Sequence, residues 1–329
     1  MQGKPTDVGW TAPTAVNQCS PAHRRGAGSL AWVATATDME AARETARFDL
    51  GDTPAAFNEW RTVPLISRLS TTPVKGTALH SPWTVTVAAN GVLDNRRFYL
   101  VDAQRRLLNG KQHGPLVRVT AEFDPAAELL RVQCPDRAPV EGRTTELGDA
   151  VHTDFYGRTV DGHLVEGPWS AVLTDFVGQE VNLIAVDRPG DAVDVHPVTL
   201  ISTATLDHLR RVTPNGNGLD YRRFRMLVEV DGCDVHEEDT WAGRRLRVGG
   251  ATLRAVGPVP RCVVTNESPD TGEVDFNTLK AIVRYRGELA TDLTTPVAHL
   301  PDNGAIILGI YATVEQPGVV AVGDVVELV

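Results

Sequence analysis

The sequence lacks the features that would place it in several large functional classes. It holds only four cysteines in 329 residues, Cys19, Cys134, Cys233 and Cys262. They are far apart and form no CxxC pair, so they lack the ligand spacing of a structural zinc site. Four cysteines in so long a chain do not build a disulfide scaffold, and they read as reduced thiols in a cytoplasmic protein. No apolar run approaches the roughly 20 residues that a membrane helix requires. Residues 30–36 follow Arg24 and Arg25 and are mostly apolar, but they are too short and mixed for a signal peptide. Positive charge is in deficit: the formal net charge is -10. Such a chain has no general electrostatic reason to coat nucleic acid or an anionic membrane, although a local basic pocket stays compatible with it. GxGxxG, GxxxxGK[ST] and HExxH motifs are absent, as are any internal repeat and any visible Ser-His-Asp arrangement.

What is present is a 42% hydrophobic composition, enough for a sizeable core. Residues 1–29 are rich in Pro, Gly, Ser and Thr without periodicity and read as disordered. Residues 39–48 suit a short helix capped by Asp38, and Met39 is an alternative start of translation. From Val63 the character changes to short β runs. Residues 83–87 alternate, residues 97–101 do so in part, and residues 129–133 form another strand candidate. A second β-rich stretch begins near Val181. It includes a strand at 198–201, a helix over 204–212 capped by Ser202 or Thr203, and a hairpin around Gly249-Gly250. A helix is expected over 276–286, capped by Asp275, with Leu279, Ile282 and Val283 on one face. Residues 306–328 read as two strands joined by Gln316-Pro317-Gly318. Strands and helices do not alternate regularly, which argues against a Rossmann sheet and for barrels. The expected organisation is an extension over 1–62, a first β domain over 63–180 and a second over 181–329.

Cys262 follows Gly257-Pro258-Val259-Pro260-Arg261. A neighbouring cation favours the thiolate, the form that attacks or binds metal; the alternative is a small buried core residue. Lys75, Arg96, Arg97, Lys111, Arg222, Arg223, Arg225 and Arg261 recur beside predicted strands. If several converge, their donors suit phosphate; otherwise they are surface charge paired with carboxylates. The run Glu237-Glu238-Asp239 after His236 reads as a solvated or capping group. Asp207 and His208 read as the solvent side of a helix.

Several segments, in order, resemble the MOSC family, named for the C-terminal domain of molybdenum cofactor sulfurase. They are Thr72-Pro73-Val74-Lys75-Gly76, Asn95-Arg96-Arg97-Phe98-Tyr99-Leu100-Val101-Asp102, Arg223-Phe224-Arg225, Gly232-Cys233-Asp234 and Glu238-Asp239-Thr240-Trp241. Arg261-Cys262-Val263-Val264-Thr265 then leads to Pro269-Asp270-Thr271-Gly272, Leu279-Lys280, Tyr285-Arg286 and Val322-Gly323-Asp324. The resemblance is to the branch containing amidoxime-reducing components and bacterial reductases of N-hydroxylated compounds. It implies a mainly β fold with a few short helices: a MOSC-associated N-terminal β domain, then a MOSC β-barrel. It also implies a pterin-dithiolene molybdenum cofactor between them, with Cys262 as the metal's thiolate ligand. By position, Lys75, Arg97, Arg225 and Arg261 would hold its phosphate and pterin. Lys111 would keep a charge where a relative has arginine, and Asp194 would stand near the metal.

The chain departs from the pattern at Leu227, where an asparagine is expected, at Val195-His196, which replaces Thr-Ser, and at Pro260, which replaces a serine. His196 is expected to face the cleft with Asp194 and Cys262 and to donate a hydrogen bond or a proton there. The function implied is reduction of small N-oxygenated compounds, with electrons from a separate flavin reductase or ferredoxin. The alternatives are a sulfur carrier using a Cys262 persulfide and a non-catalytic binding module.

Overall fold

Period-two alternation gives the strands their inward faces. In Leu129–Gln133, Leu130 and Val132 are buried while Arg131 faces solvent. A computed structural model describes residues 63–214, 216, 219–289 and 306–329 of the protein. The extension, with Cys19 and the helix expected over 39–48, lies outside the described residues.

Phe98–Asp102 is buried on both faces. Its alternation sends Phe98 and Leu100 into one apolar cluster and Tyr99 and Val101 into another. It is therefore an interior strand, in an antiparallel five-stranded sheet ordered Leu107–Leu108, Phe98–Asp102, Val181–Val186, Arg158–Val165, Leu147–Phe155. Thr120–Asp124, Leu129–Gln133 and Val140–Arg143 form a three-stranded sheet beside it. The helix Trp169–Val177 (α1) fills the space between them. Trp169 and Leu173 share the cluster of Phe98 and Leu130, and the Trp169 indole N–H donates to Leu130 O at 3.1 Å.

The second body is a seven-stranded sheet ordered Leu65–Leu69, Val228–Asp231, Val198–Ser202, Ile307–Gln316, Ala251–Pro260, Arg245–Val248, Val326–Leu328. Leu65 bridges Val325, and Ile66 N–H donates to Asp324 O at 2.9 Å, so its edge strands meet and the sheet nearly closes. Its interior is one apolar cluster containing Leu69, Val198, Leu200, Val230, Leu246, Leu253 and Ile310. Two strands cross the 180/181 division of the chain. Leu65–Leu69 helps to close the barrel, while Val181–Val186 is the centre of the five-stranded sheet.

Local signals account for most boundaries. Val248 pairs with Ala251 across the two-residue Gly249-Gly250 loop. Thr203–Val212 (α2) is capped by Ser202, whose Oγ accepts from Ala204 N–H at 3.1 Å. Thr278–Leu289 (α3) starts later than the sequence suggests. Asn277 Oδ1 caps it by accepting from Lys280 N–H at 2.9 Å, while Asp275 is drawn to Arg223 at 2.8 Å. Its packing turns Thr278, Ile282, Tyr285 and Arg286 inward, one face at helical spacing, and leaves Val283 exposed. The C-terminal segment is three strands rather than two. Past Gln316 the chain leaves the barrel, and Gly318–Ala321 pairs with Thr84–Ala88 in a separate sheet before Val326–Leu328 returns.

Candidate active site

Cys262 owes its position to how a long strand ends. Ala251–Pro260 carries prolines at 258 and 260, which cannot donate to a ladder, and its pairing with Ile307–Gln316 shifts register between them. Arg261 N–H still donates to Ile306 O at 2.6 Å. Cys262 then begins the 3-10 turn Val263–Asn266, with its carbonyl accepting from Thr265 N–H and Oγ1. The thiol is half-buried and lines a cleft of about 340 Å³ between the two β bodies.

The cleft is rich in positive charge. Lys75, Arg96, Lys111, Arg223, Arg225 and Arg261 line it against one carboxylate, Asp194. Lys75 Nζ donates to Asp194 at 2.7 Å and to Ala192 O at 2.9 Å, and Arg96 lies 3.5 Å from the other carboxylate oxygen. Burial pulls Lys75 down to about 8 although Asp194 opposes the change. Burial also disfavours ionised Asp194, but Lys75, Arg96 and Lys111 outweigh it and hold the acid well below the usual carboxylate range. The Asp194 side chain is 46% exposed, so it remains reachable from the cleft. Arg223 is neutralised by Asp275. Arg225 and Arg261 have no carboxylate within ion-pair distance among the described residues. Arg225 donates to Thr77 O at 2.7 Å, and Arg261 donates to Phe224 O and Leu308 O at 2.9 Å. Burial lowers both to about 10, and Arg96 pushes Arg225 further in the same direction. A buried guanidinium satisfied by neutral acceptors, carbonyls and for Arg261 also the Met226 sulfur, leaves net positive charge in a wall, which favours an incoming anion.

The fold brings together Lys75, Lys111, Asp194, His196, Arg225, Arg261 and Cys262, all on the cleft lining. Arg97 is elsewhere. Its guanidinium donates to Val186 O beside Asp187, and Arg96 takes the cleft position instead. The reason is local: Arg96 sits in a left-handed turn (φ 53°) just before the strand, so the two neighbours diverge. Arg222 is likewise outside, bound to Asp220 and Asp270. His196 is half-buried with its ring edge-on to Tyr311, centroids 5.2 Å apart, and burial lowers its pKa. Leu227 is not on the cleft: it packs in the barrel core, 4% exposed, while Met226 faces the site. Val195 and Pro260 do line the cleft and leave that part of the wall apolar. Glu238 and Asp239, expected in solvent, are buried against α2 and α3, where Thr205 donates to Glu238 and Arg286 pairs with Asp239.

Sequence reasoning missed Tyr156 and Tyr311 on the lining, and Glu267 just behind it. No spacing marks these residues, because they come from elements far apart in the chain: a turn at Tyr156, the middle of a strand at Tyr311 and the end of a 3-10 turn at Glu267. The two other described cysteines, Cys134 and Cys233, are raised by burial, Cys233 to about 12, which keeps them as thiols.

Residues 63–180 match the MOSC N-terminal beta barrel domain and residues 187–327 match the MOSC domain. The chain belongs to the MOSC family. Among curated relatives, mitochondrial amidoxime reducing component 2 of Bos taurus is 26% identical over 71% of this chain and 73% of its own length. Mitochondrial amidoxime-reducing component 1 of Xenopus laevis is 23% identical over 80% of this chain and 81% of its own. The Rattus norvegicus component 2 is 34% identical over a shorter stretch, 40% of this chain and 36% of its own length. No described helix of this MOSC protein is long and apolar enough to cross a membrane.

Proposed function

We propose that this protein is a molybdenum-cofactor-dependent oxidoreductase that reduces N-hydroxylated or related N-oxygenated small molecules with electrons from a separate flavin reductase or ferredoxin. One observation carries the reading: a half-buried thiol opens onto a cleft whose walls hold cations in excess of carboxylates, in a chain whose relatives are amidoxime reducing components. The donor set fits the cofactor. Cys262 offers the soft sulfur a molybdenum centre takes, and Lys111, Arg225 and Arg261 offer charge-assisted donors for a phosphate and a pterin. When bound, the cofactor supplies the two-electron chemistry at the metal.

The chain's own groups do the rest. Lys75 and Arg96 hold Asp194 ionised at the cleft wall. A carboxylate held in that way orients a substrate N–H by accepting from it. His196, half-buried against Tyr311, is placed to donate to an anionic group or to carry a proton for the leaving oxygen. Reducing an N–OH group to N–H and water consumes two protons with its two electrons, so the cleft needs groups that exchange protons near neutrality. The apolar stretch at Val195, Met226 and Pro260 favours a substrate with an apolar body beside its N-oxygenated end.

Full-length protein from a cofactor-competent host is expected to contain molybdenum near one atom per chain and to oxidise a reduced dye when given an amidoxime. Cys262→Ser is expected to lose the metal. Metal-free wild-type protein from such a host would overturn the proposal, and a one-sulfur mass gain on Cys262 in its place would favour a sulfur carrier.

A further inference from the structure

Behind the cleft wall lies a carboxyl group that the reading above does not use. Glu267 follows the 3-10 turn that Cys262 opens, and the residue is 9% exposed. Its Oε2 is buried without any hydrogen-bond partner among the described residues. The atom lies 3.5 Å from where a Cβ on Gly110 would stand, and the carboxyl carbon lies 3.4 Å from the same point on Gly114. Glu267 thus projects between the two glycines of the 109–114 loop of the other β body. Gly110 and Val264, its immediate neighbours there, both line the cleft.

An ionised carboxylate is poorly served here. It has no donor at Oε2, and burial raises its pKa to about 7. The field that opposes burial is that of Arg225, the buried cation without a close carboxylate. The elements packed around Glu267 bring other charged or titratable groups. Arg223 donates to the Glu267 carbonyl at 2.7 Å and pairs with Asp275. Lys111 and His113 belong to the 109–114 loop, with Lys111 4.0 Å over the Tyr156 ring and His113 edge-on to Phe176. Glu273 lies beside Val274, which Glu267 bridges, and Asp194 acts on Arg225 as Glu267 does.

Negative charge therefore reaches Arg225 from Asp194 and from Glu267, and an anion in the cleft would compete with both. We propose that Glu267 is a proton-linked counter-ion of Arg225, giving up its negative charge by taking a proton when a phosphate-type dianion occupies the cleft. The inference rests on reading the cleft as the seat of an anionic cofactor group. The linkage is simple. An anion beside Arg225 repels an ionised Glu267 and favours its neutral form, so binding takes up a proton. By the same coupling, affinity for the anion falls as pH rises through the range where Glu267 ionises. Glu267 is a positioning residue: it acts on the ligand only through Arg225.

The test uses inorganic sulfate, whose charge is constant across the range, with full-length cofactor-free protein. Titration calorimetry from pH 5.5 to 8.5, in two buffers of different ionisation enthalpy, gives affinity and proton uptake together. Wild type is expected to lose affinity several-fold from pH 6 to 8 with uptake of a fraction of one proton. Glu267→Gln keeps the shape and removes the titration. It is expected to bind more tightly than wild type at pH 8, about equally at pH 5.5, and with less proton uptake throughout. Lys75 also titrates in this window, at about 8, but it does so in both proteins and cancels in the comparison. Glu267→Met, neutral and of similar volume, is expected to behave as Gln does and replaces it if the amide variant does not fold. Identical pH profiles and proton uptake in wild type and variant overturn the proposal while leaving the cationic cleft intact. Absence of sulfate binding in every protein overturns the cleft reading and the proposal with it.

Discussion

At the residue scale, the site is a contest over a few buried charges. Among the described residues Asp194 is the one carboxylate on a lining that otherwise attracts anions, and both Lys75 and Arg96 lean on it. Asp194→Asn removes that negative charge while keeping the volume. Its expected effect is tighter sulfate binding at pH 7, by about fivefold, the effect of about 1 kcal/mol between unit charges 4 Å apart in water. The same substitution is expected to slow amidoxime reduction, so binding and turnover move in opposite directions. A parallel loss of both would mean that Asp194 only supports the fold. Lys75 loses charge above about 8, so anion affinity should fall again at alkaline pH in every variant that keeps Lys75.

Two elements bear on stability, the first at the seam on which these residues meet. Gly272, at φ 77°, approaches Gly114 so closely that a Cβ would lie 2.1 Å from Gly114 backbone atoms. Neither backbone can yield to a side chain there, and a positive φ alone costs about 1–3 kcal/mol for most residues. Gly272→Ala is expected to lower stability by at least that amount in chemical denaturation and to weaken sulfate binding, because the Cys262 turn and the 109–114 loop would part. The second element is the buried polar layer between the turn Glu237–Trp241, α2 and α3. Burial, with Asp239 beside it, raises Glu238 to about 7, and burial with Arg286 nearby lowers His236 to about 3. The signs are opposite. An acid raised in the folded state stabilises it below the ordinary carboxylate range and loses that contribution as pH climbs toward 7. A histidine depressed in the folded state contributes above 6.5 and loses stability as pH falls toward 3. Glu238→Gln removes the first effect alone, so its Tm relative to wild type is expected to rise by several degrees between pH 5 and pH 8. A constant difference across that range would show that Glu238 stays ionised in the fold.

On the scale of the whole molecule, a chain of net charge -10 holds a cleft whose described lining has more cations than carboxylates. Long-range repulsion of anions and short-range attraction therefore oppose each other, and salt screens the exposed charges more than the buried ones. Sulfate affinity is expected to change modestly between 0.05 and 0.3 M NaCl, far less than the steep loss of a surface-bound polyanion. Retention of duplex DNA at about 0.15 M salt would contradict this picture, since it needs a basic surface rather than a basic cavity. The β bodies are tied by crossing strands and not only by the cleft. Leu65–Leu69 closes the barrel, and Gly318–Ala321 reaches back to Thr84–Ala88. A single unfolding transition is the expected consequence, with the two bodies lost together in calorimetry.

The sequence by itself determined the class of fold. Alternation at 129–133, the Gly249-Gly250 turn and the Ser202 cap are local signals, and local signals survive into the structure because each is satisfied within a few residues. Cys262 was singled out through the family resemblance of the segments around it, and the fold puts it on the cleft lining. What only the tertiary structure decided depends on which way a backbone turns and on what it meets. Arg96 rather than Arg97 reaches the cleft because one residue adopts a left-handed turn. Asn277 rather than Asp275 caps α3 because Arg223 claims the aspartate. Glu238 and Asp239 are buried because two helices close over a charged run that looks solvated in one dimension. Glu267 reaches the back of the cleft wall only because Gly110 and Gly114, some 150 positions earlier in the chain, leave room for its carboxyl. Such pairings are set by the packing of distant segments, a physical fact about the folded chain that no local spacing encodes.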